Sequence, residues 1–276
     1  MIRPRHLAWI LPAVAALALL ASAAAGRKPA APASGKRAPD PFPSVFAGER
    51  LDYDFGWNGL AAAEVSVRNE VEDCAGRPCY HIHIDLSTKP QIDWIWKMRD
   101  RIDTYAEIGT LRPLRYSFRQ REANFKHDTE VVYDQVQHLA TSTTRYKDQV
   151  KVKTVPCQGV YDPITALLRM RLSDAKPGDT EELQVFDGVR VHTIRYEVVG
   201  IEEVATEFGD IRARKVRPWI EKSDPPVRKT DDSKTAKVRT VYGWIGLPGD
   251  PLLYRIESAA TVGKIYAELM DKQAAP

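Results

Sequence analysis

Apolar and polar residues alternate along most of this chain with a period of two. In "RLDYDFGW", Leu51, Tyr53, Phe55 and Trp57 fall on one side of an extended backbone, with Asp52 and Asp54 opposite. "AAEVSVRNEV" and "YHIHIDL" keep the period, and "PLRYSFRQR", "TEVVYDQ", "LATSTTRY" and "QVKVKTV" follow after short polar turns. Successive side chains of a strand point to opposite faces, so the pattern predicts half-buried strands. Further on, Asp187-Gly188 separates two alternating runs in "EELQVFDGVRVHTIRYEVVG", which predicts a hairpin. "AKVRTVYGWI", "LLYRIESAAT" and "KIYAELM" complete the series, with a turn at Val262-Gly263. Strands joined by short turns pair with their chain neighbours. The expected fold is mainly β, a large curved antiparallel sheet or partly open half-barrel.

One segment breaks the alternation. In "YDPITALLRMRLSD", Asp162 can cap a helix that starts at Pro163 and runs to about residue 174. Ile164, Leu167, Leu168 and Leu172 then share one helical stripe, so this helix should pack on a face of the sheet.

The N-terminus follows another logic. "MIRPRHLAWILPAVAALALLASAAAG" has a basic lead at Arg3 and Arg5, an apolar run from Leu7 to Leu20 and small residues at a cleavage site. This predicts a signal peptide over 1–25, export to a periplasm, and no membrane span once it is removed. No cysteine stands there to carry a lipid. Residues 26–44 are rich in Pro and Ala and read as a spacer. One β-rich domain should then occupy 45–271, with 272–276 as a tail.

The charge balance excludes one class of partner. The chain has 40 Lys+Arg against 37 Asp+Glu; losing Arg3 and Arg5 with the leader leaves 38 against 37. A nearly neutral chain lacks the electrostatic footprint of a nucleic-acid binder. G-x-S-x-G, the P-loop, G-x-G-x-x-G and H-E-x-x-H are all missing from the sequence. The chain therefore reads as non-enzymatic, and no cofactor is implied.

Three constellations remain. His81, His83 and Asp85 alternate on one strand, and imidazoles two apart can reach one ion. Tyr80, Ile82, Ile84 and Leu86 form the opposite, continuous apolar face, so the histidine face is expected to be polar and solvated, without a metal. Cys74 and Cys79 flank Ala-Gly-Arg-Pro and can form a disulfide across a hairpin in an oxidising compartment, leaving Cys157 unpaired. In "QIDWIWKMRDRIDTY", Trp94, Trp96, Met98 and Asp100 share one parity of a predicted strand. Asp100 on that apolar face should find an arginine or escape through a bulge. With Leu168 of the helix, these four residues are the candidate lining of an apolar groove.

The order of "GERLDYDFGWNGLAAAEVSV", "DWIWKMRDRIDTYAE", "LRPLRYSFRQRE", "YDPITALLRMRL", "KPGDTEELQVFDG" and "GDIRARKVRP" resembles the bacterial domain of unknown function 3108 family, from about Gly48 to about Asp271. The resemblance implies an exported envelope protein with no established activity. Three functions are carried forward. The first is a binder of an apolar or lipid-like envelope component in a curved-sheet groove. The second is an interaction or scaffold protein of envelope assembly, with the sheet edges or the charged 221–239 loop as its contact. The third is a metal-dependent hydrolase built on the His81/His83/Asp85 strand. An open apolar cavity favours the first, a filled interior the second, and converging His, Asp and Glu side chains the third.

Overall fold

Each alternating run becomes a strand, and the strands pair largely in chain order. The computed structural model describes residues 45–224, 240–259 and 263–273. The expected leader and spacer, the 225–239 part of the charged loop, Val262 and the final three residues lie outside the described residues. β1 (Arg50–Trp57), β2 (Leu60–Asp73), β3 (Pro78–Thr88), β4 (Arg99–Glu107), β5 (Pro113–Glu122), β6 (Phe125–Asp134), β7 (Leu139–Tyr146) and β8 (Gln149–Pro156) form one antiparallel meander. β10 (Thr180–Phe186), β11 (Val191–Thr206), β12 (Gly209–Asp224), β13 (Val241–Gly246), β14 (Leu253–Ala259) and β15 (Lys264–Gln273) form another, and the short β9 (Val160–Tyr161) adds to β10 in parallel. Pairing of β1 with β15 unites the two meanders into one 15-stranded sheet, with Arg50 opposite Gln273.

Backbone bonds do not close this sheet, whose end strands are β8 and β9. Side chains bridge the gap instead. The β10–β11 turn lies against β6, β7 and β8: Lys153 Nζ donates to the Val189 carbonyl at 2.8 Å, and the Tyr133 hydroxyl to Phe186 at 3.4 Å. Gly188 sits at the tip with φ +93°, where a Cβ would come 2.3 Å from a Thr129 methyl. Only glycine fits both the backbone conformation and the close approach. The hairpin expected at Asp187-Gly188 forms, and the Asp187 side chain accepts from Val189 and Arg190 N–H across its turn. The result is a barrel-like, incompletely closed sheet.

The inward rows form one core. Leu51, Tyr53 and Phe55 of β1 are buried, as are Tyr80, Ile82, Ile84 and Leu86 of β3. Trp57, expected to continue the β1 row, is 38% exposed. The register shifts between Phe55 and Gly56, where β2 carries the extra residue Ala62, and Trp57 lies beyond this bulge at the end of the strand.

Two helices interrupt the strands. α1 (Pro90–Asp93) replaces the first part of the strand expected through "QIDWIWKM". Pro90 starts the helical turn, and Arg99 and Thr88 hold its last residue, Asp93. The ladder resumes properly at Arg99. α2 (Pro163–Arg171) begins where expected and ends slightly earlier. Its Asp162 cap accepts from Ile164 N at 2.7 Å and Thr165 N at 2.9 Å, completing a capping box with Thr165.

α2 does not lie on the sheet as a cover. Seven of its nine residues are buried, including Ile164, Ala166, Leu168, Met170 and Arg171. A helix buried on most of its circumference is surrounded by protein, and α2 fills the space inside the curl. Its C-terminal end is held there by polar contacts. Arg171 forms a two-pronged ion pair with Glu49, at 2.9 and 2.5 Å, and its Nε donates to the Pro251 carbonyl at 2.7 Å. Arg214 of β12 donates to the carbonyls of Arg171 and Ser173 and so caps the C-terminal end.

Candidate functional site

The outer face of β2, β3 and β4 gathers the chain's most concentrated set of metal-ligating side chains among the described residues. On β3 the outward parity carries His81, His83 and Asp85, because Ile82 and Ile84 claim the core. Antiparallel pairing then sets Asp103 of β4 directly opposite His83, and Tyr105 opposite His81. Asp103 Oδ1 lies 2.7 Å from His83 Nδ1 and 3.0 Å from His81 Nε2. One nitrogen of each ring and this carboxylate oxygen fall within 4.8 Å of one another. The three side chains are only 17–20% exposed, and the His81 ring stacks on Tyr105 with centroids 4.3 Å apart.

The outer nitrogens also have carboxylate partners. His81 Nδ1 is 2.7 Å from Glu72 Oε1, and His83 Nε2 is 2.8 Å from Asp85 Oδ2. Arg68 and Arg101 hold Asp85 from its other sides, at 3.0 and 3.1 Å. Burial pushes the Asp103 carboxyl up, but bonds from His83 and His81 outweigh it and leave it below the ordinary range. Asp85 behaves alike, with His83 and Arg101 overcoming burial.

The disulfide anchors this face. Cys74 and Cys79 are bonded across the β2–β3 turn, with Cα atoms 5.8 Å apart. Cys79 pairs with Glu72 in the ladder, so the crosslink holds Glu72 in register beside His81. Cys157 is free and buried.

The residues expected to line an apolar groove do not meet in one. Met98 and Leu168 are buried in the common core, with Trp96 packed against it, whereas Trp94 is 82% exposed. The turn after α1 destroys the alternation that would have aligned the two tryptophans. Asp100 does point inward and is 4% exposed. Its partners are the Arg121 backbone N–H, at 2.6 Å, and a second acid, Glu122. The expected arginine does not reach it; the Arg121 side chain pairs with Asp128 on the outside. Burial first, and then the neighbouring Asp100, push Glu122 up to about 8, so at neutral pH it keeps its proton and donates to Asp100.

A family model described as a protein of unknown function (DUF3108) matches residues 52–270. The chain belongs to the DUF3108 family. No curated protein matches this DUF3108 chain. Among solved structures it is similar to a crystal structure of a β-barrel-like protein of domain of unknown function DUF1849 from Brucella abortus, at 8% identity and a TM-score of 0.52 over 84% of this chain and 99% of that one. At that identity the likeness is one of fold, and it agrees with the curled sheet.

Sequence reasoning missed five participants in the polar clusters of the fold. Glu72 and Asp103 belong to other strands than the histidines, and only the register places them there. Glu122 ends β5, and only the pairing of β5 with β4 brings it beside Asp100. Glu49 and Arg171 are far apart in the chain, although the DUF3108-like segments "GERLDYDF" and "YDPITALLRMRL" contain one each. The signal available was parity: Asp103 is separated by even spacing from Arg99 and Arg101, on the side opposite Asp100 and Ile102.

Proposed function

We propose that this DUF3108 protein is an exported, non-enzymatic envelope protein that acts through its outer surface, as an interaction or scaffold partner, and not by carrying an apolar molecule inside. The observation that carries this reading is the filled interior. α2 occupies the concave space, Leu168 is 4% exposed, and the Glu49–Arg171 pair is buried beside it. A lipid-like ligand would have to displace a helix capped at both ends. The Cys74–Cys79 bond supports an oxidising compartment, in keeping with the N-terminal "ILPAVAALALLASAAAG".

Native mass spectrometry of the protein purified from its own host tests the choice. The expected spectrum contains the chain without bound lipid, and the protein leaves a fluorescent apolar probe dark. A stoichiometric co-purified lipid, or saturable probe binding abolished by Leu168→Ala, would restore the groove reading.

A further inference from the structure

At the histidine cluster every ring nitrogen faces a carboxylate, and the contacts are filled by protons or by a cation. Four ring nitrogens, two on each of His81 and His83, lie 2.7–3.0 Å from carboxylate oxygens of Glu72, Asp103 and Asp85. An ionised carboxylate only accepts hydrogen bonds, and a neutral imidazole has a single N–H to give. Two neutral rings therefore satisfy two of the four contacts. The other two need either a further proton on each ring or a cation between the inner atoms.

The arrangement selects which two. Glu72 and Asp85 each face one outer nitrogen, and Arg68 and Arg101 keep Asp85 ionised in place. With the N–H groups on His81 Nδ1 and His83 Nε2, both inner nitrogens, His81 Nε2 and His83 Nδ1, aim lone pairs at the same oxygen of Asp103. A carboxylate that fixes the tautomer of a ligating histidine is the usual outer support of a metal centre. Here both histidines have one.

We propose that His81 Nε2, His83 Nδ1 and Asp103 form a site for a borderline divalent metal ion, with Zn2+ as its natural probe, and that Glu72 and Asp85 orient the two rings. Two imidazoles and a carboxylate suit zinc. In a tetrahedron with bonds of about 2.0–2.1 Å the ligand atoms stand about 3.3 Å apart. Asp103 Oδ1, now 2.7 and 3.0 Å from the inner nitrogens, needs to part from them by only about 0.3–0.6 Å, and all three ligand atoms already lie within 4.8 Å of one another. The partial exposure of the three side chains leaves the remaining coordination position to water or to a partner's side chain. Asp85, the third residue of the H-x-H-x-D run, is a support and not a ligand, because Arg68, Arg101 and His83 Nε2 already occupy it. The site is independent of the interaction reading above.

Calorimetric titration of Zn2+ into chelator-stripped, oxidised protein tests this. One zinc per chain is expected. His81→Ala and His83→Ala should abolish it while retaining the β-sheet circular dichroism, since both rings face away from the core. Glu72→Gln should keep the stoichiometry and weaken binding about 10–100-fold, the usual effect of losing an outer support. Long-range 15N NMR of the zinc-loaded protein should show His81 protonated at Nδ1 and His83 at Nε2. Absence of saturable zinc binding by the folded protein, or zinc binding unchanged in His83→Ala, would overturn the site. Metal bound with the opposite tautomers would overturn the assigned ligand atoms.

Discussion

Glu122 and Asp100 lie side by side on the inner face, where two ionised carboxylates would repel one another in a poorly solvated place. With Glu122 raised to about 8, the folded state holds a proton that the unfolded chain releases near pH 4.3. Because the folded value is the higher, this group's stabilisation is complete below the unfolded value and is lost as pH rises through about 8. The urea midpoint should therefore fall between pH 5 and pH 8.5, and Glu122→Gln, whose amide can still donate to Asp100, should lessen that fall. An equal fall in the variant would remove Glu122 as its source. Cys157 offers a second test at the same scale. Burial pushes its thiol up, so it should resist alkylation in the folded protein. Under denaturing conditions without reductant, one thiol per chain should react.

At the scale of elements, α2 holds the interior together. Leu168→Ala should cost about 2–5 kcal/mol in denaturant unfolding, the range for a leucine removed from a packed core. Arg171→Ala should cost about 3–5 kcal/mol, because it strands the buried Glu49 carboxylate. The ends of α2 were partly legible in the sequence: Asp162-Pro163 announced its start, and most strands were readable from their period. What alternation could not reveal was anything decided by pairing between strands. "QIDWIWKM" has strand-like parity, yet Pro90 and the Asp93–Arg99 contact fold it into a turn. His81 and His83 were visible as a pair. Their ligand partner was not, because Asp103 meets them only through the β3–β4 register. The burial of α2 on most of its circumference was not legible, because its apolar stripe looks one-sided, whereas Arg171 and Thr165 are buried through bonds that no hydrophobic pattern records.

The whole molecule is one sheet whose two ends approach without joining through the backbone. β8 is an edge with Val150 and Val152 exposed and Lys153 turned to the concave side, where it reaches the β10–β11 turn. Charged residues on the inner side of an edge discourage pairing with another chain. Lys151→Val with Lys153→Val should therefore promote self-association, read by light scattering, and unchanged monodispersity would argue against that role. The first and last strands, by contrast, lie in the middle of the sheet, since β1 pairs with β15. During synthesis β1 is among the first segments to appear, and its partner is nearly the last. One edge of the first meander must stay open until β15 has been made, and contacts so distant in sequence form slowly. A circular permutant that joins the old ends and opens the chain in the 157–159 loop would keep every ladder and turn β1–β15 into a neighbouring pair. The permutant should refold faster than the native chain in stopped-flow refolding, and equal rates would show that the wiring of the chain does not limit its folding.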